Sequence, residues 1–142
     1  MATGESWCNA GVKNIMSTAF SGTATMENLK LFFFSNDYTP AAGCTYSNLI
    51  EIGTSTGLAG TTLFKINFGT ASISVGTTTV ISMIYNENSP LEWTLTDTQT
   101  MYGYAIQGLT TSNMYYVKNV GLHSFEATDT YIINPLTLRM EI

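Results

Sequence analysis

From Leu29 to Ile142 the chain is a succession of short segments in which apolar and polar residues alternate. The closing segment is the clearest: Leu136, Leu138, Met140 and Ile142 alternate with Thr137, Arg139 and Glu141, the period of two that a strand with one buried face requires. Leu29-Lys30-Leu31-Phe32-Phe33-Phe34 is apolar on both faces, which places it as a central strand covered on both sides. Ser35 to Ser47, with Asn36, Asp37, Pro40 and Gly43, reads as a long loop. Leu49 to Ile52 reads as a short strand or a helical turn. Thr61 to Phe68 predicts a strand with Phe64, Ile66 and Phe68 inward. Gly69-Thr70 and Gly76 are turn positions that bracket strands over Ala71–Val75 and Thr78–Tyr85. After the break at Asn86–Pro90, Leu91, Trp93 and Leu95 share one face of the next strand. Further strands are expected over Met101–Gln107, Met114–Val120, Leu122–Phe125 and Thr130–Ile133. Gly103, inside a strand between Tyr102 and Tyr104, marks a bulge or a close backbone approach.

The period changes only near the start. Val12, Ile15, Met16, Ala19 and Phe20 recur at helical spacing, with Asn9 or Ser6 as the expected cap and Gly22 as the stop. A lone helix of about three turns does not hold in water and must lie against the sheet or a neighbouring chain. The residues before it, Met1 to Ser6, read as a loose arm. The pattern as a whole predicts an all-β chain: an antiparallel β-sandwich or jelly roll, with a barrel as the near alternative, carrying one short N-terminal amphipathic helix, with an arm and helix over 1–22 and a sandwich domain over 23–142.

Composition sharpens this picture. Charged residues are 11% of the 142, less than half the roughly 25% usual for soluble domains. Serine and threonine supply about a quarter of the chain and fill the outward positions, which keeps a pleated surface wet without ions. Such an exterior lowers the cost of packing against another subunit. The net charge of −5, with Lys13, Lys30, Lys65, Lys118 and Arg139 spread singly, disfavours direct nucleic-acid binding. No apolar run approaches the ~20 residues of a membrane span. The first residues lack the pattern of a secretory signal, so folding in a cytoplasm is the expectation.

Residues suited to acid, base or metal chemistry are sparse. His123 has no second histidine or cysteine near it in sequence and reads as structural or surface. The acids Asp37, Glu51, Glu87, Glu92, Asp97, Glu126 and Asp129 are isolated. A glycosidase pair drawn from them ranks last among the functional readings, and no catalytic residue, metal ligand or cofactor is assigned. Cys8 and Cys44, 36 positions apart, are expected to be reduced thiols. Trp93 reads as core because it alternates with leucines. Of the adjacent Tyr115 and Tyr116, one ring is expected inward and one outward, the outward ring being an interface or glycan-stacking candidate.

The order of these pieces resembles that of small structural proteins encoded by tailed bacteriophages. Their pattern is an N-terminal amphipathic helix, a Leu-x-Leu-Phe…Asn…Pro strand and loop, a Trp-Thr strand, a Gly-Tyr strand and a final alternating strand. Here these stand as Leu29-Lys30-Leu31-Phe32 through Asn36 and Pro40, Trp93-Thr94, Gly103-Tyr104, and Pro135-Leu136-Thr137-Leu138. The resemblance implies a virion component with a jelly-roll-like fold. The expected role is a capsid decoration (cement) protein, assembled in the host cytoplasm. Its expected partners are copies of itself, as a trimer, and the major capsid protein or other virion proteins, with no membrane. The alternative is a tail or fibre component that recognises a glycan or receptor. The candidate contacts are Trp7, Val12, Ile15, Met16, Phe20, Tyr115 and Tyr116.

Overall fold

The computed structural model describes residues 4–21, 26–69, 71–85 and 90–141. The expectations for Met1–Thr3, the stop at Gly22, Thr70, the break over 86–89 and Ile142, and for the inward side chain of Ile66, lie outside the described residues.

The strands are β1 (Gly4–Trp7), β2 (Leu29–Phe34), β3 (Thr61–Leu63), β4 (Ser72–Val75), β5 (Thr79–Tyr85), β6 (Leu91–Thr94), β7 (Gln99–Gly108), β8 (Met114–Phe125), β9 (Thr130–Ile133) and β10 (Leu136–Glu141), with one helix, α1 (Asn9–Met16), which widens into a π turn over Ser17–Ser21. They form antiparallel sheets ordered β1-β8-β7-β2-β3, β10-β5-β4 and β6-β9. The chain is therefore all-β and sandwich-like. The five-stranded sheet is one layer, and the two smaller sheets cover one of its faces.

The core sits between these layers. Leu31 and Phe33 of β2 with Tyr104 and Ile106 of β7 meet Tyr85, Leu136 and Leu138 from one small sheet and Trp93 and Ile133 from the other. Phe33 is its aromatic centre, with Trp93 edge-on at 4.7 Å and Tyr131 at 5.8 Å, geometries that add to plain burial. Trp93 is buried as expected, and its indole N–H donates to the Ala59 carbonyl at 2.9 Å. The opposite face of β2, Phe32 and Phe34, packs with Ala105, Val117, Leu49 and Cys44 in a second cluster. The two-sided burial predicted for β2 is what the structure has.

Several expectations are corrected. Cys8 and Cys44 are joined in a disulfide, with Cα atoms 5.4 Å apart. The start of α1 and the loop before the Tyr46–Asn48 turn are laid over the same sheet face, so sequence distance misled. Gly4–Trp7 is not loose but pairs with β8, Trp7 opposite Tyr116. Cys8, not Asn9 or Ser6, holds the cap position, because its amide still bonds the Tyr115 carbonyl of the strand pair at 2.9 Å. The strand beginning at Thr61 ends at Leu63, and Leu63, not Phe64, is buried. Here the Phe64 amide is taken by the Tyr85 hydroxyl and that of Lys65 by the Asn28 side chain, which turns the chain out of the ladder.

The β7–β8 pair carries two register shifts. At Gly103 a Cβ would lie 1.9 Å from the Lys118 carbonyl oxygen and 2.7 Å from the Phe34 ring, so the close approach predicted there is real. Past it, Gly121 adopts φ 86°, a conformation natural to glycine. The Gly103→Ala variant should lose about 3 kcal/mol of unfolding free energy in urea titration; a loss under about 1 kcal/mol would contradict the packing described. Cys8→Ser with Cys44→Ser, or reduction of the wild type, should cost about 2–4 kcal/mol, read as a fall in Tm. An unchanged Tm under reductant would show that the bond contributes nothing.

Candidate interaction surface

β1 and α1 carry most of the residues expected to make contacts, and the structure sorts them. Glu5 on β1 accepts a hydrogen bond from the Tyr116 hydroxyl and stands 3.6 Å from both the Lys118 ammonium and the Arg139 guanidinium. One carboxylate thus ties β1, β8 and β10 together. Burial first, and then this carboxylate, pushes the Tyr116 phenol far above its ordinary range, so it stays a proton donor. Trp7 packs edge-on against Tyr116 at 5.5 Å and donates its indole N–H to the Arg139 carbonyl at 2.9 Å.

Tyr115 and Tyr116 are both buried, which corrects the expectation of one inward and one outward ring. The cause is a bulge. Ile106 pairs with Tyr116 while Gln107 pairs with Met114, leaving Tyr115 as the extra residue, and an extra residue puts two neighbours on one face. Neither ring is free to stack on a ligand.

The Tyr115 hydroxyl is instead part of a second carboxylate hub. Glu27 accepts from Tyr115 at 2.9 Å, from the Thr110 and Thr111 amides at 2.9 and 3.0 Å and from the Thr111 hydroxyl at 2.7 Å. Burial acts to raise the Glu27 pKa, but the Thr111 hydroxyl, the two amides and Tyr115 outweigh it and hold the carboxyl below its ordinary 4.5. Burial and the Glu27 charge push the Tyr115 phenol up to about 12. Asn14 of α1 donates to the same hydroxyl, so the hub also fixes the helix.

The helix approaches β8 through Gly11, where a Cβ would lie 2.5 Å from the Tyr115 Cα. This contact and the Cys8 staple set its rotation. Ile15 turns inward with Trp7, Met26, Phe68, Leu138 and Tyr115 around an apolar cleft of about 340 Å³ between the sheets. Val12 is half-buried. Met16 and Phe20 point away, 55% and 85% exposed. The stripe expected to pack as a unit is therefore split, and its outer part is the most exposed apolar surface of the N-terminal region.

Several of the remaining polar candidates are engaged internally. His123 stacks on Phe125 and its Nδ1 lies 3.0 Å from the Gly121 carbonyl. Glu51 pairs with Lys30 at 2.8 Å and accepts from Tyr46 at 2.7 Å, while the Asp97 and Asp129 carboxylates accept backbone amides. Among the described residues, no group of three or more His, Cys, Asp or Glu is placed to hold a metal ion, and no helix is long and apolar enough to cross a membrane. Sequence reading missed the Glu5 and Glu27 hubs, whose partners lie far along the chain on β8, on β10 and in the β7–β8 turn.

A carboxyl held low in the folded state contributes stability that is present above its unfolded value and lost as pH falls through the folded one. Urea unfolding followed from about pH 6 down to about pH 3 should therefore show a loss of stability below about 4.5, and Glu27→Gln should make that limb shallower, with Glu51 keeping a share. A variant profile parallel to wild type would remove Glu27 as a cause. No family model matches the chain, and comparison with curated proteins and with solved structures returned no match.

Proposed function

We propose that this chain is a structural virion component of the tailed-phage kind, a capsid decoration protein that works by contact. The observation that carries this reading is the helix face: Met16 and Phe20 stand exposed at the end of a helix that a disulfide, the Gly11 contact and the Asn14–Tyr115 bond tie to the sheet. Rigid apolar anchors bind without an ordering cost, which is the economy a contact surface needs. The ordered motifs from Leu29 to Leu138 and the hydroxyl-rich, weakly charged exterior support the same reading.

The mechanism is additive burial. An interface of about 1,200–2,000 Å² per site, repeated over a shell, resists internal pressure without bond chemistry. Met16 and Phe20 would enter an apolar depression on a capsid subunit, with the hydroxyl-rich surface forming a wet rim. The fibre alternative drew on an outward ring of the Tyr115–Tyr116 pair, together with Asn-rich loops, and both rings are sealed in the fold.

The test is co-sedimentation of the purified chain with phage shells stripped of their surface proteins. Met16→Asp with Phe20→Asp should lower binding by about a hundredfold, the loss of two hot-spot side chains, with Tm unchanged. Binding untouched by the pair, or no binding by the wild type to any shell, would overturn the proposal.

A further inference from the structure

The three-stranded sheet extends beyond its cover. Its register places Leu136 opposite Tyr85, Leu138 opposite Met83 and Met140 opposite Ile81, with Ile81 opposite Ile73 and Thr79 opposite Val75. Directly opposed residues share a face, so all of these lie on the side that faces the core. Burial falls off along that face. Leu136, Leu138 and Tyr85 are buried, Met83, Ile81 and Met140 are half-buried, and Ile73 and Val75 are 66% and 77% exposed. The outermost strand, β4, has β5 on one side and, among the described residues, no strand on the other.

That free edge carries none of the usual protections. Between Lys65 and Glu87 no residue is charged and none is proline, whereas exposed edges are normally blunted by lysine, proline or a bulge. The rows of amide and carbonyl groups along β4 make a template for another strand.

We infer that β4 pairs with β4 of a second copy, joining two three-stranded sheets into one six-stranded sheet about a two-fold axis at Ser74. Charge favours a second copy as the occupant: copies that each carry −5 repel wherever acids face one another, and an edge without charge lets them approach. The alternation Ser72-Ile73-Ser74-Val75 selects the register. With Ser74 opposite itself, Ile73 faces Val75 of the other copy on the core side, and the serines meet on the wet side. A slip of one residue would oppose apolar to polar throughout. An antiparallel strand paired with itself is isologous and closes at two copies, so this edge builds a dimer where the role expected from the resemblance was a trimer. The inference rests on the reading that the chain acts by assembly, and it names the contact through which copies join.

The test is sedimentation velocity on the full chain from about 1 to about 100 µM, a range set by the affinity of modest interfaces. Wild type should run as a dimer. Ile73→Lys with Val75→Lys, at positions too exposed to disturb the fold, should raise the dimer dissociation constant by about tenfold or more, with Tm unchanged. Ser74→Cys should form a covalent dimer under mild oxidation. A wild-type monomer throughout the range, or a dimer indifferent to the two lysines, overturns the inference. Shell binding by Met16→Asp with Phe20→Asp is a separate readout, since that helix face lies outside β4 and its sheet. A dimer sensitive to β4 in a chain that ignores shells would uphold this contact and remove the virion reading.

Discussion

The fold depends on one constraint: the five-stranded sheet is apolar on both faces and must be covered twice. Leu31 and Phe33 face one way and Phe32 and Phe34 the other, so neither side of β2 tolerates water. The first cover is a layer of strands, which brings its own hydrogen-bond ladders. The second is a loop, and a loop over an apolar face must find partners for its backbone by other means. It does so through specific ties. Asn36 exchanges bonds with the Asn48 carbonyl and the Ile50 amide at 2.9 and 2.8 Å. The Ser35 amide bonds the Ile50 carbonyl, and the Ile52 amide bonds the Phe33 carbonyl. Asn119, a buried polar side chain, donates to Asp37 and to the Tyr38 carbonyl, both at 2.9 Å. The Cys8–Cys44 bond then joins this cover to the helix.

That arrangement explains what could be read from sequence and what could not. Strand positions were legible wherever side chains alternate, because the pleat imposes that period locally. β2 was legible as central because both its faces are apolar, and Gly103 because a missing Cβ inside a strand signals close approach. The inward placement of Phe64 failed, since Asn28 and Tyr85 turn the backbone out of its ladder. Tyr115 and Tyr116 were misread for a related reason: a bulge breaks the parity on which alternation depends, and nothing in the local residues announces it. The helix was found but its rotation was not. A stripe of apolar residues gives a face, whereas Gly11 and Cys8 decide which part of that face touches the sheet. The pairing of Cys8 with Cys44 and the hubs at Glu5 and Glu27 are contacts across the fold, reaching from Glu5 to Tyr116 and Arg139 and from Glu27 to Tyr115.

The use of charge follows a consistent pattern. Glu5, Glu27 and Glu51 are each spent inside the fold, joining strands or fixing turns. Among the described residues, no buried side-chain polar atom lacks a partner. The exterior is otherwise mostly hydroxyl groups, backbone and single apolar side chains, with scattered charges such as Glu92, Glu126, Asp129 and Glu141. A surface of that kind exchanges water for protein at low cost, because hydroxyls give up hydration far more cheaply than ions do. Conversely it offers little to steer a charged ligand from a distance.

Two outward features stand apart on this surface, and they differ in kind. The helix face projects side chains from a stapled element and asks for a pocket, whereas the β4 edge offers backbone and asks for a strand. A contact that reads side-chain shape is specific for a different partner; a self-complementary edge is specific for its own copy. A chain with only the first would decorate a surface singly, and a chain with only the second would stop at two. With both on different elements, occupancy at one leaves the other open. Under the two proposals, a pair joined at β4 would present two helix faces, so a second attachment to a shell would be intramolecular and gain the effective concentration of the first. Weak individual contacts suffice under that arrangement, which is consistent with a protein that spends so little of its surface on charge.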